Sequence, residues 1–356
     1  MLQLFGGLVL LVAGAELLVR AAVRLAARLK VRPLIIGLTV VALGSSAPQM
    51  AVSLQATLMQ NTDIAVGSVI GSNIFNILVT LGLSALIIPL RVSRQLVRLD
   101  IPLMIGASLL VYALAWNERL TPLDGTILLA ALVLYLGLLL HQSRHSVRPH
   151  NTPASGDNAS GTPWLSSVLL MLTGLALLVF AGHLLLSAAV EVATELGLSE
   201  RIIGLTIIAV STSLPELATS LIAALRGQRD IAVGNVIGSN LFNLLGVLGV
   251  TALVAPTPLS VSPNALDFDL PVLLAVSVLC LPMFYSGYRI TRAEGLLFLA
   301  LYLAYGLHVV SFTTGMPLAG KLEHLMLFFV LPALVTFLLF TSLRAWRRQH
   351  HKRESP

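Results

Sequence analysis

Apolar positions run along this chain in blocks too long and too unbroken to be single faces of soluble helices. Eleven such blocks can be marked, at residues 4–23, 34–58, 65–88, 101–116, 123–141, 165–190, 202–225, 232–255, 270–286, 294–312 and 324–343. About 20 apolar residues wound as a helix cross the hydrocarbon core of a bilayer, so each block reads as a membrane span. The block at 101–116 is short, with Pro102 at its start. Between the fifth and sixth blocks lies HQSRHSVRPHNTPASGDNASGTP, whose Ser, Asn, Gly and Pro content reads as a flexible connector. The opening MLQLFGG has no positive leader and no small-residue cleavage site before Glu16, so it reads as the first span rather than a signal peptide.

Composition agrees with this pattern and narrows it. Of 356 residues, 56% are hydrophobic and 11% charged, and the mean hydropathy is +0.91. A soluble domain carries about 25% charge. A soluble enzyme, a disordered chain and a disulfide-rich scaffold are thereby excluded. The single cysteine, Cys280, lies in an apolar run and reads as a small buried hydrophobe. The net charge of +6 points to cytoplasmic loops rather than to nucleic acid. With the N-terminus outside, 18 basic residues, from Arg24 and Arg28 to Lys352 and Arg353, fall on the inner side and only Arg119, Arg201 and Lys321 on the outer. The chain is therefore expected to run N-terminus out and C-terminus in. Glu191, Glu195, Glu200, Asp267 and Asp269 fall in outer loops on this reading, and Trp116, Trp164 and Trp346 at span ends.

Self-comparison adds the strongest signal. Residues 37–87, GLTVVALGSSAPQMAVSLQATLMQNTDIAVGSVIGSNIFNILVTLGLSALI, align without a gap to residues 204–254, GLTIIAVSTSLPELATSLIAALRGQRDIAVGNVIGSNLFNLLGVLGVTALV, with 28 identities in 51 positions. The offset is 167, and the likeness extends weakly outward at slightly larger offsets: Asp100-Ile-Pro answers Asp269-Leu-Pro, and Asp124-Gly answers Glu294-Gly. The repeat unit is five spans. An odd number of spans turns the second copy upside down relative to the first, as in transporters whose substrate sites lie at the midplane between inverted repeats. The expected fold is an all-α polytopic membrane protein of two inverted five-helix repeats, ten spans, plus an extra C-terminal helix. Residues 1–141 form the first repeat, 142–164 a cytoplasmic linker, 165–312 the second repeat, and 313–356 the extra helix and a basic tail.

Within the repeats, polar residues stand where lipid would not accept them. Ser45-Ser46-Ala47-Pro48-Gln49 answers Thr212-Ser213-Leu214-Pro215-Glu216. A proline inside a helix removes a hydrogen bond and frees the carbonyl four residues back, here at Gly44 and Ser211. At membrane depth such backbone survives only when buried or lining a cavity. A plain kink is the bland reading, but each proline is ringed by oxygen-bearing side chains in both copies. In the following span Ser72 and Asn76, and their counterparts Ser239 and Asn243, lie four apart on one helical face. Gly67/Gly71 and Gly234/Gly238 permit close helix approach. Two acids, Glu16 and Glu216, lie inside spans away from their ends. A carboxylate there costs about 2.5–3.5 kcal/mol on insertion scales, which makes it a functional candidate. Glu216 sits among hydroxyls at a break. Glu16, whose counterpart is His183, either pairs with a neighbouring arginine or gates access. The convergent set is Ser46, Gln49, Ser72, Asn76, Ser213, Glu216, Ser239 and Asn243. All offer oxygen and none is soft, which suits hard cations such as sodium or calcium rather than zinc, copper or an organic substrate.

At these residues the chain resembles the calcium:cation antiporter superfamily, the sodium/calcium exchangers, and in particular its short prokaryotic members. The resemblance covers spans one to ten and rests on the paired G-[ST]-S-x-P-E and G-S-N-x-x-[ND] motifs. It implies exchange by alternating access in a prokaryotic cytoplasmic membrane, with inorganic cations and the lipid bilayer as partners, no nucleic acid, and no cofactor besides the transported ions. It implies Glu216 as a central carboxylate shared by calcium and sodium, with Ser46 and Ser213 as ligands beside it and Ser45 and Thr212 at the adjoining turns. Ser72 and Ser239 would complete sodium sites, Asn76 and Asn243 would flank the middle, and the backbone carbonyls of Ala42 and Ala209 match family ligand positions.

The chain departs from that pattern at Gln49, where the family usually has glutamate, and at Asn243, where some exchangers have aspartate. One formal carboxylate balances a divalent ion poorly in a dry site, although amide oxygens do coordinate calcium. Two readings follow: sodium/calcium exchange with weakened calcium binding, or exchange of sodium or potassium against protons with Glu216 as the proton carrier. An intramembrane enzyme is disfavoured. H-E-x-x-H is missing, and His183 and His308 are isolated. A channel could use the same polar cleft; inverted repeats with duplicated broken helices argue for alternating access instead, and counter-ion dependence separates the two.

Overall fold

The computed structural model describes residues 2–145, 164–195, 209–285 and 287–313, with the isolated residues 325, 332 and 336. Outside these lie most of the linker at 142–164, the start of the segment at 202–225 with Glu200 and Arg201, nearly all of the eleventh segment at 324–343, and the tail with Trp346. The described chain is helical. In the first half α1 spans Leu2–Leu29, α2 Pro33–Ser45, α3 Ala47–Leu58, α4 Thr62–Ile87, α5 Leu96–Asn117 and α6 Pro122–His145. In the second half α7 spans Trp164–Glu195, α8 Ala209–Thr212, α9 Leu214–Leu225, α10 Arg229–Val254, α11 Ala265–Tyr285 and α12 Arg292–Thr313. Among the described residues eight helices are long and apolar enough to cross a membrane, nine if α2 and α3 count as one bent span.

The breaks fall where the prolines predict them. Between α2 and α3 the axis bends by 41° around Ser46, with Pro48 in the first turn of α3. In the second copy Ser213 separates α8 from α9, and Pro215 stands in the first turn of α9. A proline in the first helical turn gives up an N–H that has no intrahelical acceptor there, so each half-helix begins without strain.

Two expectations need correction. The short block at 101–116 is really a helix from Leu96 to Asn117. Its first turn, Leu96–Asp100, is π-helical, and its Arg98 and Asp100 hide it from a count of apolar residues. The counterpart turn Ala265–Asp269 is π-helical too. Asp267 and Asp269 thus belong to a helix rather than a loop, as do Glu191 and Glu195, which lie in α7. Asp100 is buried and accepts a bond from Tyr135 Oη at 3.4 Å. Asp269 accepts one from Tyr305 Oη at 3.0 Å and one from Asn264 Nδ2 at 3.3 Å.

The two halves interlock through reciprocal contacts. Four two-residue strands pair across them: β1 (Leu90–Arg91) with β4 (Arg289–Ile290), and β2 (Arg119–Leu120) with β3 (Leu259–Ser260), both antiparallel. Two glycine crossings mirror each other in the same way. A Cβ on Gly295 of α12 would lie 2.6 Å from the Gly82 carbonyl of α4, and one on Gly125 of α6 would lie 2.7 Å from the Gly249 carbonyl of α10. Only the lack of a side chain lets these backbones touch. Helices α4 and α10 occupy the buried centre, and α1 packs along α7 at one side. Trp116 and Trp164 are exposed near helix ends, as an interfacial belt requires. Cys280 is buried, its thiol on the Val276 carbonyl. His308 is buried and stacks on Phe268 with ring centroids 3.6 Å apart.

Candidate cation site

The two breaks and the middles of α4 and α10 meet at the centre of the fold, and the buried polar side chains they bring there all carry oxygen. Ser45, Ser46, Gln49, Ser72, Asn76, Thr212, Ser213, Glu216, Ser239 and Asn243 are all buried. Ser46 Oγ donates to Glu216 Oε1 at 3.1 Å and so joins the first break to the second. Ser72 Oγ lies 2.8 Å from Gln49 Oε1 and 3.3 Å from Thr212 Oγ1. The mirror contact is made by Ser45 and Ser239, whose hydroxyls are 3.3 Å apart. Both also reach the Ala42 carbonyl, at 3.3 and 3.4 Å. That carbonyl also accepts the Ser46 amide at 3.0 Å. Thus the bonds form two groups, Ala42, Ser45, Ser46, Glu216 and Ser239 in one and Gln49, Ser72 and Thr212 in the other, each drawn from both repeats.

Four expected positions stand differently. Asn76 bonds instead to Asn240, donating to its Oδ1 at 3.1 Å. Asn243 is buried, and its Oδ1 has no partner among the described residues. Ser213 is buried at the second break, but no bond ties it to Gln49 as Ser46 is tied to Glu216. Ala209 begins α8.

Among the described residues, Glu216 Oε2, Asn73 Oδ1, Asn76 Oδ1 and Asn243 Oδ1 are buried acceptors with no hydrogen-bond partner. Leaving a buried acceptor unsatisfied costs about 1–3 kcal/mol each. Glu216 Oε2, on the carboxylate that Ser46 holds between the two breaks, is thus an open donor for a hard cation, which takes 6–8 oxygens when it is calcium. A cavity of about 90 Å³ adjoins the breaks, lined by Pro48, Ala51, Gly182, His183, Ser211 and Thr212.

A second ring of polar residues escaped the sequence reading. Gln49 Nε2 donates to Ser53 and Ser68 at 3.0 Å each. Asn235 Nδ2 donates to Ser220 at 2.9 Å, and its Oδ1 accepts from Ser45 at 3.2 Å. Asn240 Nδ2 donates to the Asn73 carbonyl at 3.3 Å. The signal was present: positions 49/53, 68/72, 216/220 and 235/239 are polar pairs one helical turn apart, duplicated at the repeat offset. Glu16 resolves as an ion-pair centre. Arg20 Nε lies 2.6 Å from its Oε1, and Arg226, just beyond α9, places Nη2 2.5 Å from Oε1 and Nε 3.1 Å from Oε2.

Comparison with known proteins shows what the whole chain resembles. The family model described as sodium/calcium exchanger protein matches residues 1–141 and 166–311. The inner membrane protein YrbG of Escherichia coli is 39% identical over 277 residues, 77% of this chain and 85% of that protein. The sodium/calcium exchanger MaX1 of Methanosarcina acetivorans is 31% identical over 335 residues, covering 84% and 95%. The solved structure of the sodium-calcium exchanger NCX_Mj superposes with a TM-score of 0.71 at 32% identity, covering 84% of this chain and 94% of that one.

Proposed function

The chain belongs to the sodium/calcium exchanger protein family, a family of cation antiporters in membranes, and from that premise we propose that it exchanges sodium for calcium by alternating access at the site between the two breaks. The observation that carries the proposal is the joining of the breaks by Ser46 and Glu216, whose Oε2 is buried without a partner among the described residues. On this reading the repeats are inverted five-helix units with ten spans, an eleventh helix follows, and the N-terminus lies outside. The reciprocal strand pairs and glycine crossings support a two-fold relation of that kind. Glu216 supplies the charge. Gln49 and the hydroxyls of Ser45, Ser46, Ser72, Thr212, Ser213 and Ser239 supply neutral oxygens, with Asn76, Asn243 and the carbonyls of Ala42 and Ala209.

One observation favours a second reading. The site's own side chains hold a single carboxylate, because position 49 is an amide with its N–H groups committed to Ser53 and Ser68. That charge matches a monovalent ion, and Glu216 would then carry sodium or potassium one way and a proton the other. Proteoliposomes loaded with sodium and diluted into sodium-free buffer separate the two. Uptake of radiolabelled calcium that collapses when the sodium gradient is removed supports sodium/calcium exchange. Internal pH change on imposing a sodium gradient, without calcium uptake, supports the monovalent reading.

A further inference from the structure

Each repeat carries one side-chain amide that serves the same serine, but the two repeats carry it on different helices. In the first, the amide is that of Gln49, whose Nε2 donates to Ser53 and Ser68 at 3.0 Å. In the second, the equivalent position is Glu216, which has no N–H. The amide there is Asn235, standing where the first copy has Ser68. Asn235 Nδ2 donates to Ser220, the equivalent of Ser53, at 2.9 Å and to the Glu216 backbone carbonyl at 3.4 Å.

Proton bookkeeping then determines what each position accepts. Ser68 gives its one hydroxyl proton to the Ala65 carbonyl at 3.2 Å. Towards position 49 it is only an acceptor, so it fixes Gln49 with Nε2 turned inward and Oε1 turned to Ser72. A carboxylate at position 49 would set acceptor against acceptor. Asn235 does the opposite. It satisfies Ser220 and the backbone, and takes the Ser45 hydroxyl on Oδ1 at 3.2 Å. The Glu216 carboxylate is thereby left out of the supporting shell, with Oε1 on Ser46 and Oε2 without a partner among the described residues.

We propose that Ser68 and Asn235 are positioning residues that set the charge of the cation site: Ser68 keeps position 49 a neutral ligand presenting its carbonyl oxygen, and Asn235 frees position 216 to present a carboxylate. This inference rests on the proposed exchange at this site. It predicts that the effect of a change at 68 reverses sign with the residue at 49. In Gln49→Glu, adding Ser68→Asn recreates the second repeat's arrangement and tightens calcium binding about tenfold, the order of one charge-assisted hydrogen bond. In the wild type, Ser68→Asn puts two amide donors against Ser53 and weakens calcium binding. Asn235→Ser in the wild type lets Ser220 draw the Glu216 carboxylate inward and weakens calcium binding about tenfold, with the maximal rate changed less.

The test is the half-saturating calcium concentration and the maximal rate of sodium-driven calcium uptake in proteoliposomes, for wild type, Gln49→Glu, Ser68→Asn, the double variant and Asn235→Ser. Reversal of sign across the cycle supports the proposal. The same factor in the same direction in both backgrounds overturns it, as does an unchanged half-saturation in Asn235→Ser. That variant only removes atoms, and it decides the matter if Ser68→Asn does not fold. If the wild type moves sodium against protons and no calcium, the same cycle is read on sodium half-saturation. The calcium reading then fails while the positioning role stands or falls on its own result.

Discussion

Replacing Arg226 by alanine should loosen the contact between the first helix and the short helix α9, and the structure sets the size of the effect. Arg226 grips both oxygens of Glu16, at 2.5 and 3.1 Å, while Arg20 holds Oε1 at 2.6 Å from the next turn of α1. The Glu16 side chain is only 19% exposed, but the two arginines are 57% and 55% exposed. Exposed pairs are worth about 0–1 kcal/mol, and breaking a buried pair costs about 3–5 kcal/mol. A shielded acid gripped by solvated cations falls between, so the Glu16–Arg226 coupling should be about 1–2 kcal/mol. Removing Arg226 also takes a cation from the C-terminal end of α9, worth about 0.3–1 kcal/mol. A double-mutant cycle with Glu16→Gln cancels that contribution. The assay is denaturant unfolding of the purified protein for wild type, each single variant and the pair. Strict additivity would refute the argument. The cluster has a further consequence, since it is not duplicated. The equivalents of Glu16, Arg20 and Arg226 are His183, Ser187 and Met59. An ion pair present on one side of an exchanger and missing on the other should favour one of its two access states, so Arg226→Ala should change the ratio of calcium half-saturation measured from the two faces.

Three further outcomes follow from single contacts. Gly295→Val should destabilise the fold by about 1–3 kcal/mol, because its Cβ would stand 2.6 Å from the Gly82 carbonyl and 2.9 Å from the Leu86 amide; a lowered melting temperature in detergent checks it, and an unchanged one contradicts the crossing. Asn240→Leu should cost about 1–3 kcal/mol, since it orphans the buried Asn76 Nδ2, again read by unfolding. Ser72→Ala removes the hydroxyl facing Gln49 Oε1 and Thr212 and should weaken ion half-saturation about threefold to tenfold, with about 1–3 kcal/mol lost in stability because Gln49 Oε1 loses its donor.

Much of this architecture was legible in the chain itself, for physical reasons that can be named. The bilayer demands long apolar runs, so the spans announce themselves. The proline breaks are legible because Pro48 and Pro215 each follow two hydroxyl residues in an otherwise apolar stretch. The limits of α5 were not legible, because Arg98 and Asp100 belong to its first, π-helical turn. Asp269 read as an outer acid because its partner Tyr305 is 36 residues away. Glu16 stayed open between two roles because Arg226 is 210 residues distant, and no local pattern encodes such a contact. The ring of Ser53, Ser68, Ser220 and Asn235 was visible as spacing, but its meaning lies in which oxygen carries which proton, and that follows only from the packed geometry.

The central claim is that cations cross this protein at the carboxylate of Glu216. Sodium-driven uptake of radiolabelled calcium by proteoliposomes tests it most directly, comparing wild type with Glu216→Gln and Gln49→Glu. Glu216→Gln keeps the shape of the side chain and its contact with Ser46 but removes the one formal charge. The account predicts that it abolishes exchange, while Gln49→Glu, which adds a charge, strengthens calcium uptake. Normal transport by a folded Glu216→Gln protein would contradict the account.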